Sequence, residues 1–116
     1  MSDNRKIAII DFGTNTFHLL MATILNKEDF IIDETLQVPV KLGEGGINNR
    51  FITRKAYQRG LEATKKIAER IQESGITQIR AVGTSMMRNA TNSREFKADL
   101  EELIGTEIEV INGSRE

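Results

Sequence analysis

Three apolar runs crowd the first forty residues with almost nothing between them, and this constrains the fold more than any other feature of the chain. Lys6–Asp11 is apolar until it ends in an acid, with Gly13 just beyond. Phe17–Leu25 follows after Gly13-Thr14-Asn15-Thr16, and Phe30–Val40 after Asn26-Lys27-Glu28-Asp29. Large and β-branched side chains recur through all three, which marks them as strands. A parallel neighbour needs a crossover of about a dozen residues or more. Separators of four residues cannot supply it, so the chain opens as a three-stranded antiparallel meander.

Beyond the meander the period changes. Leu42-Gly43-Glu44-Gly45-Gly46 is a loop with wide backbone freedom. Thr53 then stands where an N-cap belongs, and Tyr57, Leu61, Thr64, Ile67, Ala68 and Ile71 recur at helical spacing. Arg59, Glu62, Lys66, Glu69, Arg70 and Glu73 fill much of the remaining surface, with Glu62 and Lys66 at the favourable four-residue offset. Gly75 is placed to end the helix in a left-handed cap. Ile79–Val82 predicts a short strand, followed by Gly83-Thr84-Ser85 and a helical turn through Arg88. Ser93–Ile104 predicts a further helix, with Ser93 as N-cap, Phe96, Leu100, Leu103 and Ile104 as its apolar face and Gly105 as its stop. Ile108–Ile111 predicts the last strand. The order β-β-β-α-β-α-β gives one α/β domain over 1–116, with two crossovers that should be right-handed.

Composition narrows the chemistry. Sixteen Lys and Arg oppose seventeen Asp and Glu for a net charge of −1, which argues against a dedicated nucleic-acid binder. A small anionic ligand needs only a few donors and remains open. The absence of cysteine rules out disulfides, thiol catalysis and thiolate metal sites, and a single histidine argues against imidazole-bound zinc. Ile7–Ile10 is too brief an apolar stretch for a signal core or a membrane span, so no membrane partner and a cytoplasmic location are expected.

The residues with most chemical content are Ile9-Ile10-Asp11-Phe12-Gly13-Thr14-Asn15-Thr16-Phe17-His18. A strand running into a turn of this kind can aim several N–H groups and two threonine hydroxyls at one point, a small anion nest. Asp11 beside it makes sense if a divalent cation or its waters lie between carboxylate and anion. The same residues would also serve a plain turn, with Asp and Gly present for backbone reasons. Arg88 follows a strand end, on the side where open α/β sheets place ligands. A guanidinium there can clamp phosphate oxygens bidentately, or else be a surface arginine. His18, mid-strand, is expected to be packed or hydrogen-bonded rather than catalytic.

The Asp11–His18 stretch resembles the first phosphate motif of the exopolyphosphatase/guanosine-pentaphosphate phosphohydrolase family, within the actin, Hsp70 and sugar-kinase superfamily. Three further stretches resemble that family in the right order. Leu42-Gly43-Glu44-Gly45 is similar to its loop after the third strand, with Gly46 where an apolar residue is commoner. Gly83-Thr84-Ser85-Met86-Met87-Arg88-Asn89-Ala90-Thr91-Asn92 is similar to its second signature, and Ile108–Glu116 to the strand and loop that deliver its catalytic glutamate. The last motif departs from the pattern: Asn112 precedes Gly113 where serine is usual, and Arg115 replaces the first of two acids. Glu116 keeps the second. The family's second lobe, with its Asp-x-Gly-Gly-Gly-Ser motif, is not among these 116 residues.

The resemblance implies a ribonuclease-H-like lobe with a mixed five-stranded sheet in the order 3-2-1-4-5, and a C-terminal lobe that closes over it. It implies hydrolysis of a terminal phosphoanhydride of polyphosphate or guanosine pentaphosphate. Gly13, Thr14, Asn15, Thr16 and Arg88 would bind phosphate, Asp11 would serve Mg²⁺, and Glu116 and Arg88 would be catalytic. A homodimer is compatible with it. Two other readings stand beside this one. An ATP-dependent kinase lobe of the superfamily shares the Asp-x-Gly-Thr hairpin, although Asn15–His18 and Gly83–Arg88 favour the phosphatase. A non-catalytic phosphate or nucleotide sensor is the other.

Overall fold

The structure is a computed structural model that describes residues 5–44, 51–84 and 86–111. Strand β1 (Arg5–Phe12), strand β2 (Thr16–Ile24) and strand β3 (Phe30–Pro39) form the expected meander. Helix α1 (Arg54–Ser74), strand β4 (Gln78–Gly83), the single turn α2 (Met86–Asn89), helix α3 (Ser93–Ile104) and strand β5 (Ile108–Val110) follow. The sheet order is β3-β2-β1-β4-β5, with β1 antiparallel to β2 and parallel to β4, and β4 parallel to β5. Both crossovers and the mixed sheet read from the sequence are therefore present.

Strict alternation along β1 sorts its side chains. Ala8, Ile10 and Phe12 are buried beneath the helices, while Ile9 and Asp11 face outward. Phe17, Leu19 and Met21 do the same on β2, and the Phe12 and Phe17 rings meet edge-on with centroids 4.8 Å apart. A bulge between Met21 and Ala22 then breaks the period, which lets these two successive side chains both be buried. His18, between Phe17 and Leu19, is consequently exposed on the open face; it is not packed as its mid-strand position suggested.

Thr53 caps α1 by accepting from the Ala56 N–H at 3.2 Å, and Gly75 closes it at φ 80°. The buried stripe is rotated from the one expected. Ala56, Gly60, Ala63, Thr64, Ile67 and Ile71 are buried, whereas Tyr57, Leu61 and Ala68 are only half-buried. Small residues take the centre because α3 presses close: a Cβ on Gly60 would lie 2.5 Å from Phe96 Cζ. The Thr64 hydroxyl donates to the Gly60 carbonyl at 2.8 Å, which makes its burial affordable in hydrogen-bond terms. Tyr57 donates to Asp99 on α3, and burial together with that carboxylate pushes the phenol well above its usual range.

Two local expectations are corrected. The cap of α3 is Asn92, one residue before Ser93, and its side chain is diverted: its amide accepts from Ile52 N and donates to Ile52 O, both at 2.9 Å. Ser93 is buried instead. The Glu62–Lys66 pair is not among the ion pairs of the described residues; α1 reaches outward through Arg59 to Glu44 and through Arg70 to Glu34. No helix among the described residues is long and apolar enough to cross a membrane.

Candidate functional site

The turn between β1 and β2 closes when Gly13 N donates to Thr16 O at 3.2 Å. Only glycine fits there, since a Cβ would stand 2.7 Å from that same carbonyl oxygen. The turn's own carbonyls are taken up by the segment after β3. Val40 N and Lys41 N both donate to Asn15 O, at 2.8 and 3.1 Å, and Leu42 N donates to Thr14 O at 2.8 Å. Among the described residues, no acceptor is found for the N–H groups of Thr14 or Asn15. Two donors at the tip of a turn, without an acceptor among the described residues, suit an anion nest.

The end of β4 joins the same point. Thr84 N donates to Phe12 O at 3.2 Å, and the Thr14 and Thr84 hydroxyls lie 3.3 Å apart. A Cβ on Gly83 would lie 2.8 Å from Met87 Cγ, so α2 sits directly on the strand end. Beyond β5, Ile111 N donates to Gly83 O at 2.9 Å. The described parts of the four sequence stretches picked out above thus lie together at one end of the strands, joined almost entirely by main-chain hydrogen bonds.

Thr14, Asn15 and Thr16 line a surface cavity of about 620 Å³ with Pro39, Lys41, Gly43 and Glu44. Asp11 opens into a separate depression of about 420 Å³ on the uncovered face of the sheet, opposite His18 and beside Ile9, Thr35 and Gln37. The Asp11 carboxylate makes no ion pair among the described residues. Arg88 lies on α2, but its side chain falls outside the described part of the structure. Glu116, with the whole 112–116 stretch, lies outside the described residues, as do Gly45 and Gly46.

No group of three or more His, Asp or Glu side chains among the described residues could cage a metal ion. Asp11 stands as a single carboxylate in a depression separate from the turn's cavity, so a hard cation there would take most of its shell from water and from a bound anion. Mg²⁺ is usually held that way.

Sequence reasoning missed two participants. Lys41 lines the cavity with φ 46°, a left-handed conformation uncommon outside glycine. Arg59, counted among the solvent-facing charges of α1, donates to the Val40 and Lys41 carbonyls. The available signal was its place at the margin of the buried stripe, next to Gly60 and one turn from Ala56 and Ala63.

The sheet order β3-β2-β1-β4-β5, with α1 and α3 packed together against the sheet, is that of a lobe of the actin, Hsp70 and sugar-kinase fold. Comparison with known proteins gives a narrower result. Residues 26–116 match the Ppx/GppA phosphatase family. A guanosine-5'-triphosphate,3'-diphosphate pyrophosphatase of Vibrio cholerae is 34% identical over 109 residues, covering 94% of this chain and 22% of its own. The crystal structure of an exopolyphosphatase from Cytophaga hutchinsonii superposes with a TM-score of 0.87 at 36% identity, covering 97% of this chain and 36% of that one. The Aquifex aeolicus member of the Ppx/GppA family superposes with a TM-score of 0.85 at 22% identity, covering 97% of this chain and 36% of that one. The chain belongs to the Ppx/GppA phosphatase family, and it spans about a third or less of the length of the relatives it matches.

Proposed function

We propose that this chain is the N-terminal half of the active site of a phosphohydrolase that removes terminal phosphate from inorganic polyphosphate, guanosine pentaphosphate or both. The observation that carries the reading is the meeting of the β1–β2 turn with the 40–42 segment and the end of β4 beside a cavity that Thr14, Asn15 and Thr16 line. Phosphoryl transfer asks little covalent chemistry of the protein; it asks for positioning and for compensation of charge.

In this reading Gly13 sets the turn, and the N–H groups of Thr14 and Asn15 and the hydroxyls of Thr14 and Thr16 that it carries bind the terminal phosphoryl group. Arg88 grips two of its oxygens and offsets the charge that develops as the bridging P–O bond lengthens. Glu116 orients a water molecule and takes its proton as the new P–O bond forms; the shortened phosphate chain leaves. Asp11 would hold Mg²⁺ through water, and the ion would neutralise phosphate charge when bound. The rest of the enzyme supplies the opposing wall of the cleft, in the cytoplasm.

The test is phosphate release by the whole protein from polyphosphate and from guanosine pentaphosphate, each across a Mg²⁺ titration, with Asp11→Asn alongside. Release from at least one substrate is expected, with Asp11→Asn shifting the Mg²⁺ requirement upward. No release from either substrate at any Mg²⁺ concentration would overturn the reading. An unchanged Mg²⁺ requirement would leave Asp11 an outward-facing strand residue with no part in binding the ion.

A further inference from the structure

The guanidinium of Arg59 leaves the flank of α1 and spends its donors on main chain. Nε donates to the Val40 carbonyl at 2.8 Å, and Nη2 donates to the Lys41 carbonyl at 3.1 Å while lying 3.3 Å from Glu44 Oε1. The residues it grips by their carbonyls are the ones that grip the β1–β2 turn by their amides. Val40 N and Lys41 N converge on Asn15 O, and Leu42 N reaches Thr14 O. The chain of contact therefore runs from helix to loop to turn without a gap: Arg59, then Val40 and Lys41, then Asn15, while Leu42 next along the chain reaches Thr14.

Lys41 sits in the middle of that chain at φ 46°. A side-chain-bearing residue disfavours this region, because Cβ crowds the following carbonyl. Such a conformation persists where the surroundings over-determine it, and such places cluster at functional sites. The carbonyl of Lys41 accepts from Arg59 and also from Glu44 N at 3.1 Å, so the peptide group after the strained residue is held from two sides. A planar fork can serve two carbonyls at once; a lysine ammonium, a point charge on a flexible stem, is a poor substitute.

We propose that Arg59 is a positioning residue of the phosphate site: it locks the left-handed Lys41 segment, and that segment holds the Gly13–Thr16 turn in place at the cavity it lines. Arg59 touches no substrate in this scheme. Its kinetic consequence rests on the function proposed above, whereas its structural consequence does not.

The experiment uses the whole enzyme with Arg59→Met, which keeps the aliphatic stem and removes the donors, and Arg59→Lys, which keeps the charge and loses the fork. Three quantities are read on each: hydrogen exchange of the 40–42 amides, kcat and KM on polyphosphate or guanosine pentaphosphate, and the unfolding temperature. Arg59→Met is expected to speed exchange at 40–42 at least tenfold while exchange in β1 and β2 stays as in the wild type. Misplacement of binding groups by about an ångström costs roughly a hundredfold, so kcat per folded molecule should fall about ten- to a hundredfold. Arg59→Lys should recover only a minor part of either loss. Unchanged exchange and kcat in Arg59→Met overturn the proposal, and so does full recovery by lysine, which would make the contribution one of general charge. A loss of folded protein with kcat per folded molecule preserved overturns it too, since that is what a merely structural arginine would give. If the wild-type enzyme releases no phosphate, the function reading fails while the exchange arm still decides whether Arg59 holds the turn.

Discussion

The pairing of β2 with β3 has two ends, and they are built on opposite plans. At the far end the chain turns through Asn26–Asp29, and the turn satisfies itself. Asn26 Oδ1 accepts from Glu28 N and Asp29 N, its amide donates to Asp29, and Leu25 N donates to Asp29 O. Phe30, Ile31 and Ile32 beside it are 60, 51 and 50% exposed. At the near end the Gly13–Thr16 turn gives its carbonyls to residues 40–42 and meets the end of β4 through Thr14 and Thr84. One turn depends only on its own sequence. The other is correct only once two distant segments have folded around it.

The largest effect expected tests whether the near end performs the chemistry. In the whole enzyme, Glu116→Gln keeps the shape of the side chain and removes the base, so turnover should fall about a hundred- to ten-thousandfold while substrate affinity survives. Arg88→Lys should be nearly as damaging as Arg88→Ala, because the fork is lost in both. A drop in turnover of less than about tenfold for Glu116→Gln would remove it from the general-base role.

A smaller effect separates the two turns directly. Gly13→Ala drives a methyl to within 2.7 Å of the Thr16 carbonyl and should cost about 1–3 kcal/mol, with the rest of the near end disturbed along with it. Asn26→Ala removes only local bonds at an exposed turn and should cost under about 1 kcal/mol with activity retained. Urea midpoints and specific activity measured side by side decide the matter. Equal losses in the two variants would erase the distinction.

The smallest effect concerns a third arrangement, in which α3 holds the start of β5. Glu101 Oε2 accepts from Ile108 N at 2.7 Å and from Lys97 Nζ at 2.9 Å. Burial alone would raise this carboxyl, but the Ile108 amide and Lys97 together outweigh it and leave the group below its usual range. Its contribution to stability is therefore complete above the unfolded value, near ~4.3, and drains away as pH falls through the lower folded value. Comparing urea midpoints at pH 7 and at about pH 3.5, Glu101→Gln should lose less on acidification than the wild type. An identical loss in both proteins would show that Glu101 does not carry this dependence.

Much of the fold is legible in the chain because it is written locally. Four-residue separators force the meander, and Thr53, Gly75 and Gly105 mark helix ends that the structure keeps. The family motifs point to Asp11, the Gly13–Thr16 turn and Arg88 for the same reason, since each is a short run of characteristic residues. What is not legible depends on packing. Small residues at the centre of α1 look like the edge of a stripe until α3 is seen pressed against them at Gly60. Arg59 and Arg70 read as solvated charges because nothing in helical spacing says which loop or strand lies within reach. Asn92 is a good capping residue by type, and only the proximity of Ile52 explains why its side chain bonds elsewhere.

The Leu42 amide bond to Thr14 O has a further electronic consequence. A peptide carbonyl that accepts a hydrogen bond draws electron density toward its oxygen and leaves the nitrogen of the same amide plane more positive. The N–H that shares a plane with the Thr14 carbonyl belongs to Asn15, one of the donors for which no acceptor is found among the described residues. Hydrogen bonds in series strengthen one another by roughly 10–30%. Leu42 therefore acts on the turn as a polarising backing as well as a brace, sharpening the Asn15 donor from behind.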